Sequence, residues 1–405
     1  MTHAPRPDFR SPDFLKDHIL WNMAFYADRC IDPSGGMFHF YLDDGTVYDT
    51  VTRHLVSATR FVVTSATAYE LSGEVRFRDM AAHALRFLDQ AFADPEHGGY
   101  HWVIQWRDGQ STPLDRTRHM YGLAFVMLAA ARAYRVGIAE GKGLLERTFA
   151  LAEQRFYDPA FGLYADDASF DWQVSGYRGQ NANMHTCEAL IAAFEATGDA
   201  GYGERAESLA YAITVRQAAL CGGGIWEHYD AQWQPDLEYN RHDSSNIFRP
   251  WGFQPGHFTE WAKLLCQLDT LHPQPWHLPR ARELFDRAIT EAWDTEHGGM
   301  HYGVGLDGSI CLPEKYHWVQ AESLAAAAIL AQRTGEAHYW ASYDRLWTYC
   351  WQHFVDHQHG AWFRILDAAN RNHTREKSPA GKVDYHNMGA CYDVLRELQG
   401  AIKAR

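Results

Sequence analysis

One short motif recurs six times along the chain and constrains the fold more than any other feature. It is a turn that contains glycine, and its aligned glycines are Gly36, Gly99, Gly162, Gly224, Gly299 and Gly360. The steps between them are 63, 63, 62, 75 and 61 residues. Self-similarity at a nearly constant period is typical of folds assembled from one repeated supersecondary unit. The content of each period therefore predicts the architecture.

Two helical segments fill each period. In the second period, the apolar residues Met120, Leu123, Met127 and Leu128 fall on one stripe at helical spacing. Ala, Leu, Glu and Arg dominate these segments and are good helix formers. An open array of hairpins would need polar capping repeats at its ends, and none is evident. We therefore predict an all-α fold, an (α/α)6 barrel of six helical hairpins with short β turns at one rim, in which residues 1–405 form a single catalytic domain.

Composition argues against several classes of protein. The formal net charge of -14 disfavours a nucleic-acid groove, which needs clustered Lys and Arg. No apolar run reaches the length of a membrane span, and the N-terminus has no apolar secretory segment. The 7 cysteines are scattered and odd in number, which indicates reduced thiols and a cytoplasmic location. The sequence leaves a homo-oligomer open.

A histidine also recurs once per period, near the start of the first helix after each glycine turn. The six are His54, His119, His185, His257, His317 and His386. In a ring of hairpins, equivalent ends of the six inner helices converge, so these side chains should share one central cavity. Helix N-termini favour electron-rich groups through their unpaired N–H donors. Any one histidine alone is equally well explained as a structural cap.

The densest polar stretch is residues 241–265, which lies in the period lengthened to 75 residues. A Pro-Gly pair directly before His257 predicts the start of a helix there. Glu260 follows three residues later and so shares a helix face with His257. His185 and Glu188 repeat this spacing. A carboxylate beside a histidine fixes the imidazole tautomer and raises its basicity, so we predict two histidine–carboxylate pairs.

The chain resembles the N-acylglucosamine 2-epimerase superfamily in three motifs, which are RPWGFQPGHFTEWAKLL ending at residue 265, W-x-x-x-E at residues 318–322 and YHN at residues 385–387. It is most similar to the branch of mannose and sulfoquinovose isomerases, over nearly the whole chain. The resemblance implies an (α/α)6 barrel that interconverts sugars without a metal or redox cofactor, with His257 and His386 as catalytic residues. The substrate-binding residues that it implies are Arg53, Tyr121, Asn181, His185, Arg249, Glu260, Trp318 and Glu322.

The implied chemistry suits these residue types. Interconverting an aldose and a 2-ketose, such as D-mannose and D-fructose, moves a proton between C2 and C1 through an enediol. A base that titrates near neutrality does this best, and histidine is that group. We expect His386 to move the C2 proton and His257, oriented by Glu260, to act in ring opening. Arg53 would donate paired hydrogen bonds to sugar oxygens. No set of carboxylates has metal-ligand spacing, so we expect neither a metal nor a cofactor.

Three other functions compete with this one. If His257 reaches the opposite face of C2, the two histidines would make the enzyme a sugar 2-epimerase. A six-hairpin glycoside hydrolase would use two carboxylates, but that leaves the paired histidines unexplained. A sugar-binding protein without activity is the third alternative. The branch resemblance favours the isomerase, with a monosaccharide as substrate and no nucleic-acid or membrane partner.

Overall fold

A computed structural model describes residues 6–243, 246 and 248–400. These residues form twelve α-helices and sixteen short strands. The helix Ala200–Tyr211 continues into a π-helical segment at Ala212–Gln217. The helices are α1 (Pro12–Ala27), α2 (Leu55–Ser72), α3 (Val75–Ala91), α4 (Met120–Arg135), α5 (Glu140–Arg155), α6 (Gln180–Thr197), α7 (Ala200–Tyr211), α8 (Pro255–Leu271), α9 (His277–Ala292), α10 (His317–Thr334), α11 (Ala337–His353) and α12 (Tyr385–Leu398).

The strands contain two to six residues each and pair antiparallel in sheets of two or three. They are β1 (Phe40–Leu42), β2 (Val47–Asp49), β3 (Thr52–His54), β4 (Val103–Arg107), β5 (Gln110–Asp115), β6 (Arg118–His119), β7 (Tyr157–Asp158), β8 (Leu163–Tyr164), β9 (Asp167–Ala168), β10 (Arg178–Gly179), β11 (His228–Tyr229), β12 (Gly303–Val304), β13 (Ile310–Leu312), β14 (Lys315–Tyr316), β15 (Ile365–Leu366) and β16 (Glu376–Ser378).

The even-numbered helices form a closed inner ring. Each packs against the next, and α12 returns to α2. Each odd-numbered helix packs outside an inner one, from α3 on α2 to α11 on α10. The last inner helix, α12, takes α1 as its outer partner, so the two ends of the chain together complete the sixth hairpin. The predicted (α/α)6 barrel is confirmed, whereas the prediction of two helices after every glycine turn is wrong for the sixth.

The inner and outer helices differ in how much of their surface they bury. In α10, the run 324–331 is buried on every side, and its alanines let neighbouring helices approach closely. In α9, the buried residues Ala281, Leu284, Phe285 and Ala288 form one stripe at helical spacing, as expected for a helix with one face in solvent. Burial thus separates two helix types that have similar composition.

Five of the six glycine turns, all except the fourth, are held by an aspartate that precedes the glycine and accepts a backbone N–H. In the first copy, Asp32 Oδ1 accepts the backbone N–H of Ser34 at 2.8 Å, and Gly36 adopts a left-handed φ of 69°. A Cβ at Gly36 would also lie 2.6 Å from the Phe87 ring of α3, so only glycine fits. In the fourth copy, the left-handed residues are Gly222 and Gly223, and the predicted alignment on Gly224 is wrong by one residue.

The same aspartate forms an ion pair with a buried cation that lies just before an inner helix. This pairing occurs in four copies, as Asp32–Arg53, Asp94–Arg118, Asp294–Lys315 and Asp356–Lys377. Each pair ties a turn to the strand that leads into an inner helix. The repeated motif therefore fixes the N-terminal ends of those helices at one rim of the barrel.

Two further predictions concern the chain as a whole. The assignment of residues 1–405 to one domain stays a prediction. Among the described residues, no helix combines the length and the apolarity needed to cross a membrane. The cytoplasmic location also stays a prediction.

Candidate active site

The N-terminal ends of the inner helices surround a cavity of about 690 Å³. All six repeated histidines line it, as the converging helix ends predict. His54 and His119 directly precede α2 and α4. His185, in contrast, lies in the second turn of α6, so its predicted place at the helix start is wrong. Residues 246 and 248–250 of the lengthened loop form part of the wall, as do residues 379–382.

His386 is held by partners on both ring nitrogens. Its Nδ1 lies 2.7 Å from Glu322 Oε1, and its Nε2 lies 3.2 Å from Arg60 Nη2. A guanidinium can only donate, so Nε2 accepts and Nδ1 carries the proton that Glu322 accepts. Burial and the Arg60 charge hold the pKa of His386 well below its ordinary value of 6.5. The neutral imidazole thus keeps an unprotonated Nε2 beside the cavity.

The segment before His386 has an unusual backbone. Val383 and Asp384 have φ angles of 42° and 44°, in the left-handed region that a β-branched residue rarely adopts. The Asp384 carboxylate, fully buried, accepts hydrogen bonds from Lys382 Nζ and Tyr26 Oη. Strained conformations persist where surrounding contacts enforce them. These contacts fix the direction in which α12 enters the barrel and hence the position of His386.

His257 has a carboxylate partner other than the predicted one. Its Nδ1 lies 2.9 Å from Glu227 Oε1. The other oxygen of Glu227 accepts from Gln180 Nε2 at 2.9 Å, and Gln180 is oriented by Trp261 Nε1, which donates to its Oε1 at 2.8 Å. The prediction that Glu260 orients His257 is wrong, because the first turn of α8 directs the imidazole towards the chain before β11.

Glu260 instead lies near the second predicted pair. His185 Nδ1 is 2.9 Å from Glu188 Oε2, so the predicted pair of His185 and Glu188 is present. Glu260 Oε1 is 3.8 Å from the same nitrogen. Glu260 is 1% exposed, and neither of its carboxylate oxygens has a hydrogen-bond partner among the described residues. Burial and the nearby Glu322 charge raise the pKa of Glu260 well above its ordinary value. The raised pKa favours the protonated form of Glu260, which is the form that can donate a hydrogen bond to a bound molecule.

Other predicted residues lie where a sugar could contact them. The Trp318 ring lies 5.0 Å from the His257 ring and 5.8 Å from the His386 ring, between centroids. Tyr121 Oη accepts from Arg60 Nη2 at 3.2 Å. Six of the eight predicted substrate-binding residues line the cavity, and they are Tyr121, Asn181, His185, Arg249, Glu260 and Trp318. Arg249 Nη2 also pairs with Asp167 Oδ2 at 2.6 Å.

Two predicted substrate-binding residues do not line the cavity. Arg53 is fully buried and paired with Asp32, and it belongs to the repeated turn motif of the fold. Arg60, one and a half turns into α2, is the arginine of this segment that lines the cavity. Glu322 lies behind His386 and contacts its Nδ1, so it acts through that histidine.

Sequence reasoning missed Arg60 and Glu227. Arg60 lies six residues after His54 in an otherwise apolar helix, and its charge there is the sequence signal that could have identified it as a cavity residue. Glu227 comes 30 residues before His257, directly after a glycine turn, and only the folded chain brings them together.

The cavity floor also brings together possible metal ligands. Two overlapping sets have ligand atoms within 4.8 Å of one another, and they are His185, Glu188 and Glu260, and Glu260, Glu322 and His386. The prediction that no carboxylates have metal-ligand spacing overlooked them, because each set draws on more than one helix. Most of these side chains already bond one another. The prediction that the protein needs no metal stays a prediction.

Comparison with known proteins gives consistent matches over the whole chain. Residues 36–390 match the N-acylglucosamine 2-epimerase (GlcNAc 2-epimerase) family. The chain is 51% identical to a D-mannose isomerase of Marinomonas mediterranea over 97% of this chain and 99% of that one. It is 36% identical to a D-mannose isomerase of Thermobifida fusca over 71% of each. A crystal structure of a D-mannose isomerase superposes with a TM-score of 0.94 at 50% identity, over 96% of this chain and 99% of that chain.

Proposed function

This chain belongs to the N-acylglucosamine 2-epimerase family, and from that premise we propose that it interconverts D-mannose and D-fructose. Two relatives named D-mannose isomerase, at 51% and 36% identity, support the substrate pair. The observation that carries the chemistry is the pair of imidazoles at one cavity. The Nδ1 atom of each lies within 2.9 Å of a buried carboxylate oxygen.

His386 is the base that moves the proton between carbons. Its Nε2 takes the proton from C2 of the open-chain aldose, which forms an enediolate with its charge on O1. The hydroxyl proton of O2 moves to O1, and the imidazolium, whose proton exchanges with solvent, then delivers a proton to C1 and leaves the ketone at C2. Arg60 donates to the sugar oxygen on which charge builds. Glu260, as a neutral acid, donates a further hydrogen bond from the cavity floor. A well-placed general base contributes roughly 10²- to 10⁴-fold to the rate.

His257 acts before the proton transfer, in opening the sugar ring. The Glu227 carboxylate accepts from Nδ1, so Nε2 of His257 is the free base. It accepts the proton of the anomeric hydroxyl, and the resulting imidazolium returns a proton to the ring oxygen. Trp318 contacts both imidazoles and offers a flat apolar face to the sugar. Residues 246 and 248–250 form part of the cavity wall.

The test is proton NMR of D-mannose in D₂O with the wild-type protein and the His257→Asn and His386→Asn variants. Fructose carrying deuterium at C1 is the expected product. We expect His386→Asn to lose at least roughly 100-fold in rate, and an exposed histidine variant, His272→Asn, to match the wild type. Glucose in place of fructose would establish a 2-epimerase. Reducing-end release from a mannose oligosaccharide, with no change in mannose, would establish a hydrolase and refute the proposal.

A further inference from the structure

A buried lysine lies below the cavity floor and takes no part in the steps above. Lys263 is on α8, one turn after Glu260, and its side chain is 4% exposed. Its Nζ lies 2.6 Å from Glu322 Oε2 and 3.4 Å from Asp393 Oδ2. It does not line the main cavity. A bound sugar would therefore not touch Lys263.

Lys263 is charged in spite of its burial. Burial by itself lowers the pKa of Lys263, but the carboxylates around it, Glu322 first and Asp393 second, raise it well above its ordinary value. A buried ammonium is costly unless carboxylates compensate it, and these do. The ammonium is the positive charge in direct contact with Glu322.

Glu322 stands between Lys263 and the proposed base. One of its oxygens forms an ion pair with the Lys263 ammonium, and the other accepts a hydrogen bond from Nδ1 of His386. Burial raises the pKa of Glu322, and the Lys263 charge opposes that rise. The charged or titratable groups that face Glu322 from the neighbouring helices are Lys263 and Glu260 on α8, His386 and Asp393 on α12, and His185 and Glu188 on α6.

The protonation state of Glu322 decides which nitrogen of His386 is basic. An ionised Glu322 can only accept, so Nδ1 keeps the proton and Nε2 keeps its lone pair. A protonated Glu322 would donate its O–H to Nδ1 instead. The imidazole proton would then sit on Nε2, where it faces the Arg60 donor and blocks the base.

We propose that Lys263 is a positioning residue, which keeps Glu322 ionised and thereby holds His386 in the tautomer that can accept the sugar proton. The inference rests on the proposed function, because it concerns how the proposed base is prepared. Lys263 acts through Glu322 and needs no contact with the substrate.

The test compares Lys263→Met with the wild type by exchange of the sugar C2 proton in D₂O. We expect kcat to fall roughly 10- to 100-fold, the usual cost of losing a group that orients a ligand side chain, while KM stays within about threefold because Lys263 lies outside the cavity. The loss should shrink as the pH rises, because a higher pH ionises Glu322 without the lysine. A purely structural role would not change the pH profile.

Two further variants keep the inference falsifiable if Lys263→Met folds poorly. Adding Lys263→Met to Glu322→Gln should cost little beyond Glu322→Gln alone, because the lysine acts through that carboxylate. An additional loss above tenfold would overturn the inference. Lys315→Met removes an equally buried lysine, paired with Asp294 at 2.7 Å, and should lower the melting temperature but leave the pH profile of kcat unchanged.

The readout separates this inference from the proposed function. Exchange of the C2 proton requires the His386 base whether the product is a ketose or an epimer. Failure to form fructose would therefore refute the proposed function and leave the Lys263 comparison intact. A folded Lys263→Met protein with wild-type kcat and pH profile would refute the inference alone.

Discussion

The pairing of Glu227 with His257 gives the sharpest prediction, because the sequence pointed to a different carboxylate. Glu227 accepts from His257 Nδ1 at 2.9 Å, and the two residues are 4% and 8% exposed. The variant Glu227→Gln keeps the shape of the side chain and removes the charge. It also lets the amide donate to Nδ1, which would place the imidazole proton on the wrong nitrogen.

The size of the effect follows from the burial of this hydrogen bond. A hydrogen bond with one charged partner contributes about 1.5–3 kcal/mol, and 1.36 kcal/mol corresponds to a tenfold change in rate. Glu227→Gln should therefore lower kcat/KM by roughly 10- to 150-fold. The loss should appear mainly in kcat, since Glu227 acts on the base that opens the ring.

The assay is fructose formation from mannose, followed by polarimetry at several mannose concentrations. Glu207→Gln is the matched control, because Glu207 lies 2.8 Å from the buried His277, a pair outside the cavity lining. Circular dichroism and a thermal melt establish that each variant is folded. A folded Glu227→Gln protein with wild-type kcat/KM would refute the assigned role of Glu227.

Three more predictions follow from single contacts. Arg60→Met should abolish most activity with little change in thermal stability, whereas Arg53→Met should lower the melting temperature. Thermal melts and rate assays of both variants test this, and the reverse pattern would contradict the assignment of Arg60 to the cavity and Arg53 to the fold. Gly256→Ala places a Cβ 2.6 Å from the Trp318 ring, so the ring should leave its place between the two imidazoles and kcat/KM should fall. An unchanged kcat/KM would count against the role of Trp318 as a stacking face for the sugar. His18 accepts from a buried indole N–H, and burial lowers its pKa from 6.5 to about 3. A depressed pKa gives stability that is present above pH 6.5 and lost as the pH falls towards 3. His18 should therefore lower the free energy of urea unfolding by up to about 1.4 kcal/mol per pH unit in this range, and a flat profile from pH 6 to 4 would refute this.

Local patterns in the sequence determined the fold of this protein. The glycine turn near every 63 residues and the apolar stripes at helical spacing predict six hairpins, because turn geometry and helix amphipathicity depend on residues close in sequence. The repeat also predicts that the six histidines meet, since equivalent ends of helices in a ring share one side. The i, i+3 pair of His185 and Glu188 forms as expected, because both belong to one helix.

Tertiary structure decided which partner each catalytic candidate has. Glu227 reaches His257 from 30 residues away. Arg60 lines the cavity and Arg53 does not, because Arg53 is buried against Asp32 of the first glycine turn. The ion pair of Lys263 with Glu322 joins α8 and α10, two inner helices that only tertiary packing places side by side. Side-chain direction depends on how each helix is rotated about its axis, and packing against its neighbours fixes that rotation.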